Sequence, residues 1–307
     1  DGIGDLAGIT RRLDYIAALG ADAIWISPFF TSPMRDFGYD VADYCGVDPI
    51  FGSLADFDAL IARAHALGLR VIIDQVYAHS SDLHPWFAES RQDRSNVRAE
   101  WYVWADPKRD GSPPNNWQSV FGGPAWTWDA RRGQYYMHTF LKEQPQLNAH
   151  NPAVQDALLA VARFWLERGV DGFRLDALNH AMHDPELRDN PPAPEGEGPR
   201  TRPFDYQIRR YSQSHPGVVD FVARIRDLTD RELAVLKCLA GGQSNKVIAQ
   251  ALDISHNTVK LHVRHIMAKL DLGSRVEAAV FAFEHRTSSE HPGKGGEPEN
   301  PSGRRSS

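Results

Sequence analysis

The sequence predicts two unlike modules, an α/β unit of alternating strands and helices over residues 1–226 and a small all-α unit after it. Three observations carry this. Helical and strand periods alternate through the first part, all eight tryptophans fall between Trp25 and Trp165, and past Asp227 the pattern changes to short helices with sharp ends.

Residues 6–19 place apolar side chains at helical spacing (Ile9, Leu13, Ile16, Ala17) and stop at Gly20, which predicts a helix. Residues 23–28, Ala-Ile-Trp-Ile-Ser-Pro, are expected as a buried strand ended by Pro28, and residues 57–67 as a helix closed by Gly68. Residues 70–76 form the next buried strand. From about Ser80 to Asn151 the chain is aromatic and rich in Pro and Gly, too long for a simple connection, and reads as a small inserted subdomain. Asn151-Pro152 then opens a helix over 153–168, with Leu158, Val161, Ala162 and Trp165 on one face. It leads into a short strand, Gly172-Phe173-Arg174-Leu175-Asp176, and strands alternating with helices in this way lie parallel.

Composition narrows the function classes. A hydrophobic fraction of 42% is ample for a core, and a net charge of -6 excludes a chain that is basic all over. Cys45 and Cys238 fall in different modules and neither sits in a metal-ligand spacing, so no metal and no cofactor is assigned; a reduced, cytoplasmic setting fits. No apolar run approaches membrane-spanning length and the first residues lack a signal layout, so no membrane partner is expected.

Polar residues gather where the strands end: Asp36 and Tyr39 after the first, Asp74 and His79 at the second, Arg174 and Asp176 at the third. In α/β barrels that end carries the chemistry. The i, i+2 spacing puts Arg174 and Asp176 on one face, where a guanidinium keeps a carboxylate ionised and oriented, as a nucleophile requires.

Five ordered segments, DGIGDLAGI (1–9), DFGYDVADY (36–44), DQVYAHSS (74–81), QPQLNAHNP (144–152) and GFRLDALNH (172–180), resemble the α-glucosidase branch of the α-amylase superfamily of retaining glycosidases. The resemblance implies that Asp176 is the nucleophile, that Arg174 assists it, and that Asp36, Tyr39 and His79 line a pocket for small α-glucosides. It would also make Asp1 and Asp5 the tail of a Ca²⁺- or Mg²⁺-binding loop, whose upstream ligands are absent. The family's general acid, a glutamate on the following strand, does not arrive: Glu186, Glu195 and Glu197 lie in a Pro- and charge-rich loop. Only three clear strands precede the change of module, whereas a closed barrel takes about 250 residues. The expected fold is therefore an incomplete TIM-type (β/α) barrel fragment with an inserted subdomain at about 80–151.

Beyond an amphipathic helix at 218–227, Thr229 and Glu232 read as a capping box, followed by Leu233, Leu236 and Leu239 and a stop at Gly241-Gly242. Ser244 caps a second helix burying Ile248, Ala249 and Leu252. Ser255 caps a third, with Val259, Val263, Ile266 and Leu270 inward, and Ser274 starts a fourth with Val276, Val280 and Phe283 inward. Two short helices joined by a tight turn make a helix-turn-helix when the second carries donors on its open face. Asn257, Thr258, Lys260, Leu261 and Arg264 supply them, with Lys246 and Lys269 for the DNA backbone; spacing alone leaves a small protein-binding helical domain equally open. Residues 228–280, from LTDRELAVLKCLAGG to VEAAV, resemble the LuxR/NarL-type DNA-binding domain along their whole length. That resemblance implies Lys260, Leu261 and Arg264 at the DNA surface and the helix at 274–286 as a homodimer contact on DNA. Residues 287–307 are expected to be disordered.

The chain thus reads as a chimera: a glycosidase-like fragment (1–226), a LuxR-type helix-turn-helix (227–286) and a tail. Its leading function is sequence-specific DNA binding, with the first unit inactive. The alternatives are a working α-glucosidase with Asp176 as nucleophile and a sugar-sensing regulator.

Overall fold

Each early helix begins at a side chain that satisfies the amides left free in a first turn. The computed structural model describes residues 2–196 and 200–229, and in the second unit 235, 238–239, 241–252, 254–269, 274–277 and 280. Asp5 accepts from Gly8 N at 2.5 Å and opens α1 (Leu6–Ala18). Ser53 and Asp56 form a reciprocal capping box on α2 (Leu54–Ala66), so that helix starts three residues before the apolar pattern does. Asn151 caps α4 (Pro152–Glu167) with Pro152 in the first turn.

Three parallel strands lie in the order β1 (Ala23–Ile26), β2 (Arg70–Val76) and β6 (Gly172–Asp176). Ala23 to Ile26 register with Arg70 to Ile73, and Ile72 to Val76 with Gly172 to Asp176. This register sets Asp74 beside Arg174. Against the other face pack α1, α2 and α4. Trp165 is fully buried there among Phe29, Phe30 and Phe57, its indole donating to Tyr44 O at 2.8 Å.

The expectation of a buried first strand is corrected. Ala23 and Trp25 are exposed, Trp25 by 53%, and only Ile26 is buried. β1 is an edge strand of this sheet, and on the face shared by Trp25, Asp74 and Arg174 burial is complete at Asp74 on the central strand but not at Trp25 on the edge.

The insertion between β2 and α4 contains α3 (Pro85–Ser90) and an antiparallel sheet of β3 (Trp104–Ala105), β5 (Gln134–Met137) and β4 (Trp126–Asp129) in that order. Arg132 is buried at its base, where its guanidinium lies over Trp104 and donates to Ser90 O and Asp93 O. The last helix of the unit, α5 (Gly217–Thr229), buries Phe221 and Ile225, and its Arg224 pairs with Asp156 on α4 at 2.6 Å.

The chain divides into two compact units, Asp1–Thr229 and Asp230–Ser307. Helix α5 runs through Thr229, and the expected capping box cannot be followed further because Glu232, Leu233 and Leu236 lie outside the described residues. In the second unit Gly242 takes φ +70, the left-handed value expected of a helix stop. Helices α6 (Asn245–Ala251), capped by Ser244, and α7 (His256–Lys269) enclose a core of Val235, Leu239, Ile248, Val259 and Val263. Arg275 donates to Asn245 Oδ1 and Gln243 O, which ties the following segment to the start of α6.

One expectation fails here. Val276 and Val280 are 71% and 50% exposed instead of inward, and the described core is built from α6, α7 and the segment before them without either valine. The side chains of Ile266 and Leu270, and all of Phe283 and residues 287–307, fall outside the description. Among the described residues no helix is long and apolar enough to cross a membrane.

Candidate functional site

Parallel pairing of β2 with β6 delivers the first part of a site without any help from loops. Arg174 Nη1 lies 2.6 Å from Asp176 Oδ1 and 3.0 Å from each oxygen of Asp74, so one guanidinium serves two carboxylates. Tyr39 joins from the loop after β1, its hydroxyl 3.4 Å from Arg174 Nη1 and 3.5 Å from Asp74 Oδ2.

The second part is assembled by Gln144. Its amide donates to Asp36 Oδ2 at 2.8 Å and lies 3.1 Å from His79 Nε2, which is also 3.2 Å from Tyr39 O. Phe140 stands against both His79 and His180. All five residues expected in the first unit, Asp36, Tyr39, His79, Arg174 and Asp176, therefore occupy one connected cluster. Two members went unassigned in the sequence. Gln144 sat inside the QPQLNAHNP segment with nothing in its spacing to mark a role, and Trp25 looked like core. Yet Arg174 lies 5.3 Å from the Trp25 ring centroid, which brings that ring against the cluster.

Electrostatics modify one expectation. Burial pushes the Asp176 carboxyl above the usual range, and the Arg174 guanidinium opposes that rise without cancelling it. Asp74 is wholly buried and burial lifts it to about 6 despite two hydrogen bonds from Arg174. Burial drives His79 and His180 down to about 4, so both imidazoles are neutral near pH 7. The cation thus orients Asp176 more than it acidifies it.

Of the two aspartates that the resemblance places in a Ca²⁺- or Mg²⁺-binding loop, Asp5 caps α1 and Asp1 lies outside the described residues. Of the described loop glutamates, Glu186 is exposed and pairs with Arg188 at 3.4 Å and Glu195 is exposed; Glu197 lies outside the described residues.

In the second unit, residues 252–255 connect α6 to α7. Lys246 on α6 and Asn257, Lys260 and Arg264 on α7 are exposed, and Lys260 and Arg264 are four apart on one side of the helix. Thr258, Leu261 and Lys269 belong to α7, with side chains outside the description.

Residues 1–251 match the family of α-amylase catalytic domains, and residues 226–282 match the bacterial regulatory proteins of the luxR family. Similar curated proteins include the "Probable alpha-glucosidase" of Rhizobium meliloti, 59% identical over 268 residues covering 86% of this chain and 49% of that protein. The α-glucosidase of Culex pipiens is 47% identical over 231 residues, covering 75% of this chain and 39% of that one. Among solved structures, the α-glucosyl transfer enzyme XgtA superposes with a TM-score of 0.73 at 60% identity, over 75% of this chain and 44% of that one. The chain spans less than half the length of each of these relatives.

Proposed function

The chain belongs to the α-amylase catalytic-domain family, and from that premise we propose that its working module is the luxR-type helix-turn-helix, which binds DNA sequence-specifically, while the α-glucosidase-like unit binds small α-glucosides without hydrolysing them. The observation that carries this reading is the contrast between the two sites. Retaining hydrolysis needs a proton-donating carboxyl about 5 Å from the nucleophile. The carboxyls around Asp176 are already engaged, Asp74 by Arg174 and Asp36 by Gln144, and the described loop glutamates stand at the surface. The helix-turn-helix, by contrast, has its helix pair, its tight connection and exposed donors on the second helix.

In this reading α7 enters the major groove. Lys260 and Arg264 meet guanine edges or phosphates, Asn257, Thr258 and Leu261 contact bases from the first turns, and Lys246 and Lys269 hold the backbone. The exposed Val276 and Val280 suit a homodimer contact between two copies on DNA. The setting is cytoplasmic.

Fluorescence anisotropy of the full chain on a duplex selected from a random pool tests this. Arg264→Ala is expected to weaken binding about tenfold, with the slope of affinity against salt falling by about one if the contact is to phosphate. Equal affinity and equal slope for both proteins would remove the reading.

A second reading, a working α-glucosidase, is favoured by the Arg174–Asp176 pair at 2.6 Å. Asp176 would attack the anomeric carbon as the glycosidic bond breaks, the leaving oxygen would take a proton from an acid, and water would release the sugar. We expect folded full-length protein to release no more phenol from an aryl α-glucoside than Asp176→Asn does. Asp176-dependent release would establish this second reading instead.

A further inference from the structure

Three histidines from separate segments meet outside the sugar cluster. The ring of His150, just before α4, has its centroid 5.2 Å from that of His183, in the segment after β6, and 4.9 Å from that of His215, at the start of α5. His150 Nε2 lies 2.7 Å from His183 O and donates to it, since a carbonyl only accepts. His215 Nδ1 lies 3.1 Å from Gly217 N, and an amide only donates. That nitrogen therefore carries the lone pair, and neutral His215 holds its proton on Nε2.

This contact makes His215 a helix cap. Its carbonyl accepts from Val218 N at 3.0 Å and its ring accepts from Gly217 N, the first amide of α5, as a capping Ser would. A hydroxyl would keep that role at every pH, but an imidazole keeps it only while neutral. Asp184 is the carboxylate that acts on His183 and His215, and it is already engaged by Arg188 through Nε and Nη2 at 2.8 Å each. Trp117 stands against the His183 ring, whose buried Nδ1 has no hydrogen-bond partner among the described residues. Burial first, and then the neighbouring imidazoles, hold both rings below the ordinary histidine range, His183 at about 3. Protons therefore bind an opened form better, and opening gains as pH falls through 6.5.

The helix that His215 starts is lightly seated. α5 buries Phe221 and Ile225, but Val219 and Val222 are 71% and 37% exposed. Beside Phe221, at 6.2 Å between ring centroids, Tyr77 keeps a buried hydroxyl without a hydrogen-bond partner among the described residues, a group that water would satisfy once the helix lifts. We propose that His215 is a proton-operated cap: neutral, it accepts from the first amide of α5, and on protonation it stops accepting, sets a cation at the positive end of the helix and lets α5 open locally. The first unit ends with α5 at Thr229, so the device acts on the helix through which the chain leaves that unit. It holds under either reading of function.

Hydrogen exchange of the full-length chain at pH 7, 6 and 5, corrected for the intrinsic pH dependence of amide exchange, tests this. Opening of residues 218–226 is expected to rise about tenfold from pH 7 to 5 beyond any rise in β2, which reports opening of the whole unit. His215→Asn, whose amide oxygen caps without taking up a proton, is expected to hold that excess within about twofold. Long-range proton–nitrogen NMR of the wild type at pH 7 should find the His215 proton on Nε2. A proton on Nδ1, no excess opening in the wild type, or the same excess in His215→Asn overturns the proposal. Should His215→Asn fail to fold, the wild-type tautomer and exchange profile decide it.

Discussion

Lowering the pH from 7 to 5 is expected to destabilise the α/β unit by on the order of several kcal/mol, a large share of the stability typical of a domain. Burial holds His79, His84 and His180 down to about 4 and His183 to about 3. Unfolded imidazoles titrate near 6.5. Between these values the unfolded chain binds more protons than the folded one, so the histidines contribute stability above pH 6.5 that is lost as pH falls toward 4. Each is worth about 1.4 kcal/mol per pH unit in that window.

Asp74 acts in the opposite direction. Its carboxyl titrates at about 6 in the folded state, above the unfolded value, so it adds stability as pH drops through 6. Burial raises Asp36, Asp82 and Asp176 as well, with the same sign. The histidines win because four deeply depressed groups outweigh one strongly raised carboxyl and three lesser ones. Since every tryptophan lies between Trp25 and Trp165, tryptophan emission reports this unit alone. Urea midpoints at pH 7, 6 and 5 should fall in that order, and a midpoint that holds or rises would refute the account.

Arg174→Met is expected to cost about 3 kcal/mol at pH 7, and to cost less as pH falls. Asp74 is wholly buried and Asp176 is only 17% exposed, so losing their shared guanidinium leaves two desolvated carboxylates facing each other. Removing one partner of a buried ion pair costs about 3–5 kcal/mol, and the 42% exposure of Arg174 argues for the lower end. Both carboxyls should then titrate higher than in the wild type, so protonation at pH 5 recovers part of the loss. Adding Asp74→Asn should restore more stability in the Met background than in the wild type. A cost independent of pH, with no rescue, would mean that Arg174 acts through packing against Trp25 instead.

Much of this was legible before any coordinates. The strand at 70–76 and the one at 172–176 and the helix at 152–167 announce themselves through local pattern, because apolar period and caps are properties of neighbouring residues. Asp36, Tyr39, His79, Arg174 and Asp176 could be named separately, and so could Lys246, Asn257, Lys260 and Arg264. Their wiring could not. Gln144 reaches Asp36 across 108 positions and His79 across 65, and Arg174 reaches Asp74 across 100, separations at which sequence period carries no information.

Exposure was misjudged for the same reason. Trp25, Val276 and Val280 sit in apolar runs that read as inward, but burial depends on whether another element covers that face. Trp25 lies on an edge strand of the order β1-β2-β6, and the two valines stand apart from the described core of the second unit. By itself the amino-acid order determined which segments become strand or helix and which polar side chains stand at the strand ends. Only the tertiary structure decided which of those side chains share a partner, and which apolar side chains stay in water, because both are set by contacts between segments distant in the chain.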